Sequence, residues 1–213
     1  MFDHLHLYSW IFDLQSIPNA SIPVVKFSVQ LFAFSGDFAD GVVNVDLTFN
    51  DNLRGGRHLG NSSLRASQEL LEEYPALKDI LIVLKHLLSV HGMNSSYNGG
   101  ISSYSLLIWV VAFINSLESP LEDYGELLIQ FLGFFGKKFD MDKVGVNVHS
   151  KGGFFKVESC RGIVTVDPAC PSNNTTRSSF NVERVLALFA AKHTLVTNRK
   201  TTKNLLAELF KPI

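Results

Sequence analysis

Residues 106–114, Leu-Leu-Ile-Trp-Val-Val-Ala-Phe-Ile, form the strongest apolar run in the chain. The run is too short to cross a bilayer, which takes about twenty apolar residues. It reads instead as the middle of a helix over 102–113, starting at Ser102. A helix that is apolar on every side has to be buried by neighbours. The sequence offers those neighbours. Over 77–90, Ile80, Leu81, Leu84, Leu87 and Leu88 make the i, i+3, i+4 stripe of an amphipathic helix. Before it, Leu64, Leu70, Leu71 and Tyr74 mark another helix that Pro75 ends. After the apolar run, residues 121–135 read as a helix closed by Gly136 as a C-cap, with Lys137 and Lys138 beside it. Residues 181–194 and 202–210 give two more. The 17 phenylalanines suit a packed helical body.

The N-terminal part reads differently. Residues 5–17 have mixed apolar spacing and are expected as a short helix. Ile22-Pro23-Val24-Val25-Lys26-Phe27 is β-branched and opens a strand over 22–34. Residues 35–41 are turn chemistry, with Asp37 and Asp40 as turn formers. Residues 42–49 are a second strand, antiparallel to the first, with Asp46 near its tip. A polar, glycine-rich loop over 50–63 exposes Arg54, Arg57 and His58, residues 95–100 form a turn, and 140–155 are irregular.

A polar loop follows the short β-type run 162–166. It contains Asp167, Pro168, Cys170, Pro171, Asn173, Asn174 and Arg177. Paired amides and an arginine can read a base edge and hold a phosphate. The formal net charge is −1, so a nucleic-acid backbone would not be gripped by bulk charge. Two cysteines, Cys160 and Cys170, are too few for a disulfide framework or a zinc site. The first residues lack the basic and apolar regions of a signal peptide. No membrane association is expected.

Six segments, taken in order, carry a family resemblance. They are Ile22-Pro23-Val24-Val25-Lys26-Phe27, Val45-Asp46-Leu47-Thr48-Phe49-Asn50, and Tyr74-Pro75-Ala76-Leu77-Lys78 with Leu81-Ile82-Val83-Leu84-Lys85. Then come Tyr97-Asn98-Gly99-Gly100-Ile101-Ser102-Ser103-Tyr104, Tyr124-Gly125-Glu126-Leu127-Leu128, and the loop from Asp167 to Phe180. Together they resemble the noncanonical poly(A) polymerases, the PAP-associated terminal nucleotidyltransferases of the DNA polymerase β superfamily. The nuclear TRAMP-type branch is the most similar.

The resemblance implies an α+β fold: a small antiparallel β remnant of a nucleotidyltransferase palm, followed by a mainly helical central domain. The palm part is expected at 1–52, the helical domain at 53–198 with its nucleotide-recognition loop at 162–180, and a tail or helix at 199–213. The implied activity is template-independent transfer of AMP from ATP to an RNA 3′ end in RNA processing or surveillance. Two Mg²⁺ or Mn²⁺ ions held by three carboxylates would activate the attacking hydroxyl. Asp46 falls at the third carboxylate. Lys85 falls at the triphosphate lysine, and Ser103 at a phosphate-side hydroxyl. Tyr104 falls at the base-stacking platform. Asp167, Asn173, Asn174 and Arg177 fall in the recognition loop. The implied partners are ATP, an RNA 3′ end, and a zinc-knuckle RNA-binding protein and helicase of a TRAMP-like complex. The implied location is nuclear, with the cytoplasm also open.

The upstream Gly-Ser signature and Asp-x-Asp pair of the family have no match before Ile22. On this reading the chain is inactive alone, as a fragment, a truncated gene product or a silent relative. The alternative function is a catalytically dead nucleotide- or partner-binding module of an RNA-processing complex.

Overall fold

The computed structural model describes residues 2–19, 23–30, 41–48, 60–158, 162–198 and 205–211. Asp37, Asp40, Arg54, Arg57, His58 and Cys160 lie outside them. The chain divides into two compact units, 1–60 and 61–213.

The first unit holds a short helix α1 (Phe2–Leu5) and a three-stranded antiparallel sheet. Its strands are β1 (Ile11–Ile17), β2 (Val24–Gln30) and β3 (Val42–Thr48), with β2 in the centre. The helix expected over 5–17 is therefore mostly strand β1. A register shift between Phe12 and Gln15, with Asp13 at φ 52°, breaks its alternation and hides the period-2 signal. The β2–β3 pair runs in continuous register and sets Lys26 directly opposite Asp46.

The second unit is helical. Helix α2 spans Gly60–Glu73, so its start takes up the last part of the loop expected over 50–63. Helix α3 (Leu77–Val90) carries the expected stripe on its buried face. Helix α4 (Ser103–Asn115) is the centre of the core, buried from Ser105 to Phe113. It starts where it does because the Ser102 hydroxyl accepts the Ser105 amide at 3.1 Å, satisfying one orphan donor of the first turn. Helix α5 (Tyr124–Gly133) is capped in the same way by Asp123, which accepts from Gly125 and Glu126.

Gly136 is not a C-cap. It lies inside a π-helical turn, Phe134–Lys138, that continues α5 and packs on helix α6 (Val182–Thr197). The turn places Phe135 against Trp109 with ring centroids 4.7 Å apart and planes 8° apart. Offset aromatic stacking of this kind adds to area burial. A Cβ on Gly136 would sit 2.3 Å from the Ala190 backbone nitrogen, so the glycine is there for close approach. Gly136→Ala forces α6 away and should cost about 3 kcal/mol. In a thermal melt that is a loss of roughly 6–12 °C. A shift under about 2 °C would show that α6 retreats without penalty.

The segment expected to be irregular contains a small hairpin, β4 (Val144–Val146) with β5 (Phe154–Lys156). A second hairpin, β6 (Val166–Asp167) with β7 (Cys170–Asn174), forms much of the polar loop. Pro171 is tolerated because the ladder is only two strands wide. A short helix α7 (Leu205–Leu209) buries Leu209, and Phe210 meets His86 edge to face at 4.5 Å.

Candidate nucleotide site

The site is built where the start of α4 meets the β6–β7 hairpin. Asp167 closes β6 and is 1 % exposed. A buried carboxylate needs donors, and it has three. Tyr104 Oη donates to Oδ1 at 2.8 Å, the Ala169 amide donates to Oδ1 at 2.8 Å, and Asn173 Nδ2 donates to Oδ2 at 2.9 Å. Burial pushes the Tyr104 phenol well above its ordinary range, and the Asp167 carboxylate raises it further; the Ser63 hydroxyl and Ala169 amide oppose this. The phenol is thus a fixed donor at neutral pH, and its bond to Asp167 ties Tyr104 to the hairpin.

Beside this cluster is an open, polar cleft of about 400 Å³. Asn61, Ser62, Arg65 and Glu69 of α2 line one side, and Pro168 and Ala169 of the hairpin turn line the other. Hydroxyl, amide and guanidinium groups in one cleft suit a sugar and its phosphates.

The hairpin is fastened to α4 by contacts that sequence reading missed. Ser105 Oγ donates to the Thr175 carbonyl at 3.0 Å, and Trp109 Nε1 donates to Thr165 Oγ1 at 2.9 Å. The available signal was a pair of polar atoms four residues apart in an otherwise apolar helix, hence on one face.

Tyr104, Asp167 and Asn173 are therefore brought together. Asn173 is exposed, with one N–H used by Asp167 and its carbonyl facing no described donor. Asn174 serves the scaffold: its Oδ1 accepts from the Thr165 and Thr176 amides and its Nδ2 donates to the Ile163 carbonyl. Ser103 is exposed in the first turn of α4. Lys85 is exposed on α3, with no ion pair among the described residues. Arg177 lines a different cleft, considered below.

Asp46 belongs to the first unit. Its Oδ2 receives Lys26 Nζ at 2.9 Å, and both side chains are well exposed. Such a pair is worth at most about 1 kcal/mol. A two-metal centre needs several carboxylate ligands. Among the described residues no group of three His, Cys, Asp or Glu side chains comes together to hold a cation. The described residues therefore do not fit a complete two-metal site.

Residues 123–183, which run from the cap of α5 through the hairpin to the start of α6, match the family described as Cid1 family poly A polymerase. The fold is one that solved polymerase structures share. It superposes on the polymerase core of TRAMP, an RNA surveillance complex, with a TM-score of 0.80 at 21% identity, covering 99% of this chain and 69% of that one. It superposes on a mutant of the Cid1 poly(U) polymerase bound to MgATP with a TM-score of 0.67 at 22% identity, covering 95% and 72%.

By sequence the chain is similar to several poly(A) RNA polymerases. It is 30% identical over 212 residues to the poly(A) RNA polymerase cid14 of Schizosaccharomyces pombe, covering 92% of this chain. It is 32% identical over 192 residues to Trf4-2 of Drosophila melanogaster, an inactive noncanonical poly(A) RNA polymerase protein, covering 82% of this chain. The chain spans 29% of the length of the first relative and 44% of the second.

Proposed function

We propose that this chain supplies the nucleotide-binding central portion of an RNA 3′-end adenylyltransferase, which adds AMP from ATP to RNA. The observation that carries the reading is the Tyr104–Asp167–Asn173 cluster beside the polar cleft. It combines an oriented aromatic ring, for stacking a base, with an exposed amide, for reading the base edge. Divalent Mg²⁺ or Mn²⁺ would serve the transfer, with Asp46 as one oxygen ligand. The 213 residues alone are inactive on this reading. The substrates are ATP and an RNA 3′ end, within a nuclear TRAMP-like assembly that includes a zinc-knuckle RNA-binding protein and a helicase.

A second reading is a catalytically silent nucleotide- or partner-binding module. The similarity to a relative named as inactive favours it, together with the lack of any group of three metal-ligating side chains among the described residues. The first reading, and the second in its nucleotide-binding form, require ATP to bind. Calorimetric titration with ATP should show binding, weakened about tenfold or more in Tyr104→Ala, since base–aromatic stacking is worth roughly 1–3 kcal/mol. No heat from ATP in the folded chain removes the first reading and leaves the second only as a partner-binding module.

Base choice is assigned to Asn173. Its amide retains an N–H and a carbonyl for a purine edge, and its small size leaves room for adenine. Discrimination by pocket shape is modest, roughly 1–3 kcal/mol, so ATP is preferred over UTP without excluding it. Asn173→His should narrow or reverse the ATP-to-UTP affinity ratio, while Tyr104→Ala weakens both nucleotides alike. An unchanged ratio in Asn173→His would show that the base is read elsewhere.

A further inference from the structure

Tyr97 and Phe180 carry the most exposed aromatic rings among the residues whose exposure is described, at 90% and 73%. They lie far apart in sequence but at one corner of the helical unit. Tyr97 sits in the 3₁₀ turn Ser96–Asn98. The Asn181 amide donates to the Gly99 carbonyl at 2.9 Å, and Asn181 Nδ2 donates to the Asn98 carbonyl at 3.4 Å. The Phe180 ring lies over Gly99, whose φ is +80°, and an added Cβ there would meet the ring at 2.7 Å. Glycine is therefore required for both its backbone angle and the contact.

Next to Phe180 is a cleft of about 500 Å³ at the start of α6. Arg177 lines it, and no acid among the described residues pairs with the guanidinium. Glu183 and Asp142 line it too. Ser179 is a further lining residue, 4 % exposed, and its Oγ is buried without a hydrogen-bond partner. A buried hydroxyl without a partner is costly.

We propose that this corner is a binding site for single-stranded RNA, with Tyr97 and Phe180 stacking bases and Arg177 and Ser179 taking a phosphate. Exposed rings next to a cationic group are what a strand of any sequence requires. A protein partner would instead favour a contiguous apolar patch. Here the rings are set among Ser96, Asn98, Ser178 and Asn181, which are polar. The inference rests on the adenylyltransferase reading for its choice of RNA, and it uses residues other than those of the cluster around Asp167.

The test is fluorescence anisotropy of the full chain with 5′-fluorescein oligoadenylate RNA of about twelve nucleotides at low salt. Tyr97→Ala and Phe180→Ala should each weaken RNA binding about tenfold. Tyr97→Phe and Phe180→Trp, which keep a stacking face, should retain affinity. Arg177→Gln should reduce the slope of log affinity against log salt by about one. ATP affinity measured by calorimetry should be unchanged in both ring variants. ATP binding with RNA affinity unaltered by either ring variant overturns this site and leaves the nucleotide site standing. Loss of ATP binding in the parent chain with the ring effects intact does the reverse. RNA binding too weak to measure in the parent chain also overturns the proposal.

Discussion

Labelled RNA incubated with the 213-residue chain, ATP and Mn²⁺ is expected to remain at its starting length. Two-metal transfer depends on carboxylates that hold both ions while they clamp the attacking and leaving oxygens. Asp46 supplies one such group, and no triad of ligating side chains assembles among the described residues. An ion held by one exposed carboxylate already shared with Lys26 would be bound too weakly to act. Against a family-level activity the expected loss is complete, which makes this the largest effect considered. A tail that grows with the parent chain and fails with Asp46→Ala would overturn it. Attention would then turn to Asp37 and Asp40.

Asp167→Ala should damage both the fold and the site. The substitution leaves the half-buried Tyr104 hydroxyl and Ala169 N–H without their shared acceptor and releases the exposed Asn173 amide. An unsatisfied buried group costs about 1–3 kcal/mol, so the sum is about 3 kcal/mol after relaxation. The melting temperature should fall by roughly 6–12 °C. Nucleotide binding should vanish, because Tyr104 and Asn173 lose their common orientation. Ultraviolet titration gives an independent signature. In the parent chain the Tyr104 phenol ionises above its ordinary value of 10. The unfolded tyrosine loses its proton first, so stability from this group is intact below pH 10 and declines as pH rises beyond it. Removing the carboxylate should bring the phenol back towards its ordinary value. A variant that melts and binds ATP like the parent would show that the cluster is incidental.

Much of this architecture was legible in the residues. The stripe from Ile80 to Leu88 delimited α3 because Pro75 stops the preceding helix and the apolar spacing has one period. The apolar run identified α4, and Ser102 marked its start. Strand β1 was not legible: the bulge at Asp13 breaks its alternation, and only Ile11 and Leu14 are partly covered. Strands β4 and β5 have three residues each, too few for any period to register. Gly136 looked like a helix end because glycine serves both caps and close approaches, and only the position of Ala190 separates the two uses. In the site, the residue types were readable but their grouping was not. The Tyr104–Asp167 bond spans 63 positions and is invisible to local pattern. Asn174 looked like a base reader, yet its amide holds the hairpin together, because a buried strand end needs its backbone groups paired.

The bolts from Ser105 and Trp109 to the hairpin divide it into two parts with different freedom to change. At Thr165 and Thr175 a substitution disturbs the most buried helix of the protein, so variation there is paid in folding. At residues 170–173 the chain is turned outward, and a substitution alters what is presented to a ligand while the anchor holds. Pro171 and Ser172 can therefore change what the tip presents while the anchor to α4 holds, whereas Asn173 is tied to the fold because it donates to the buried Asp167.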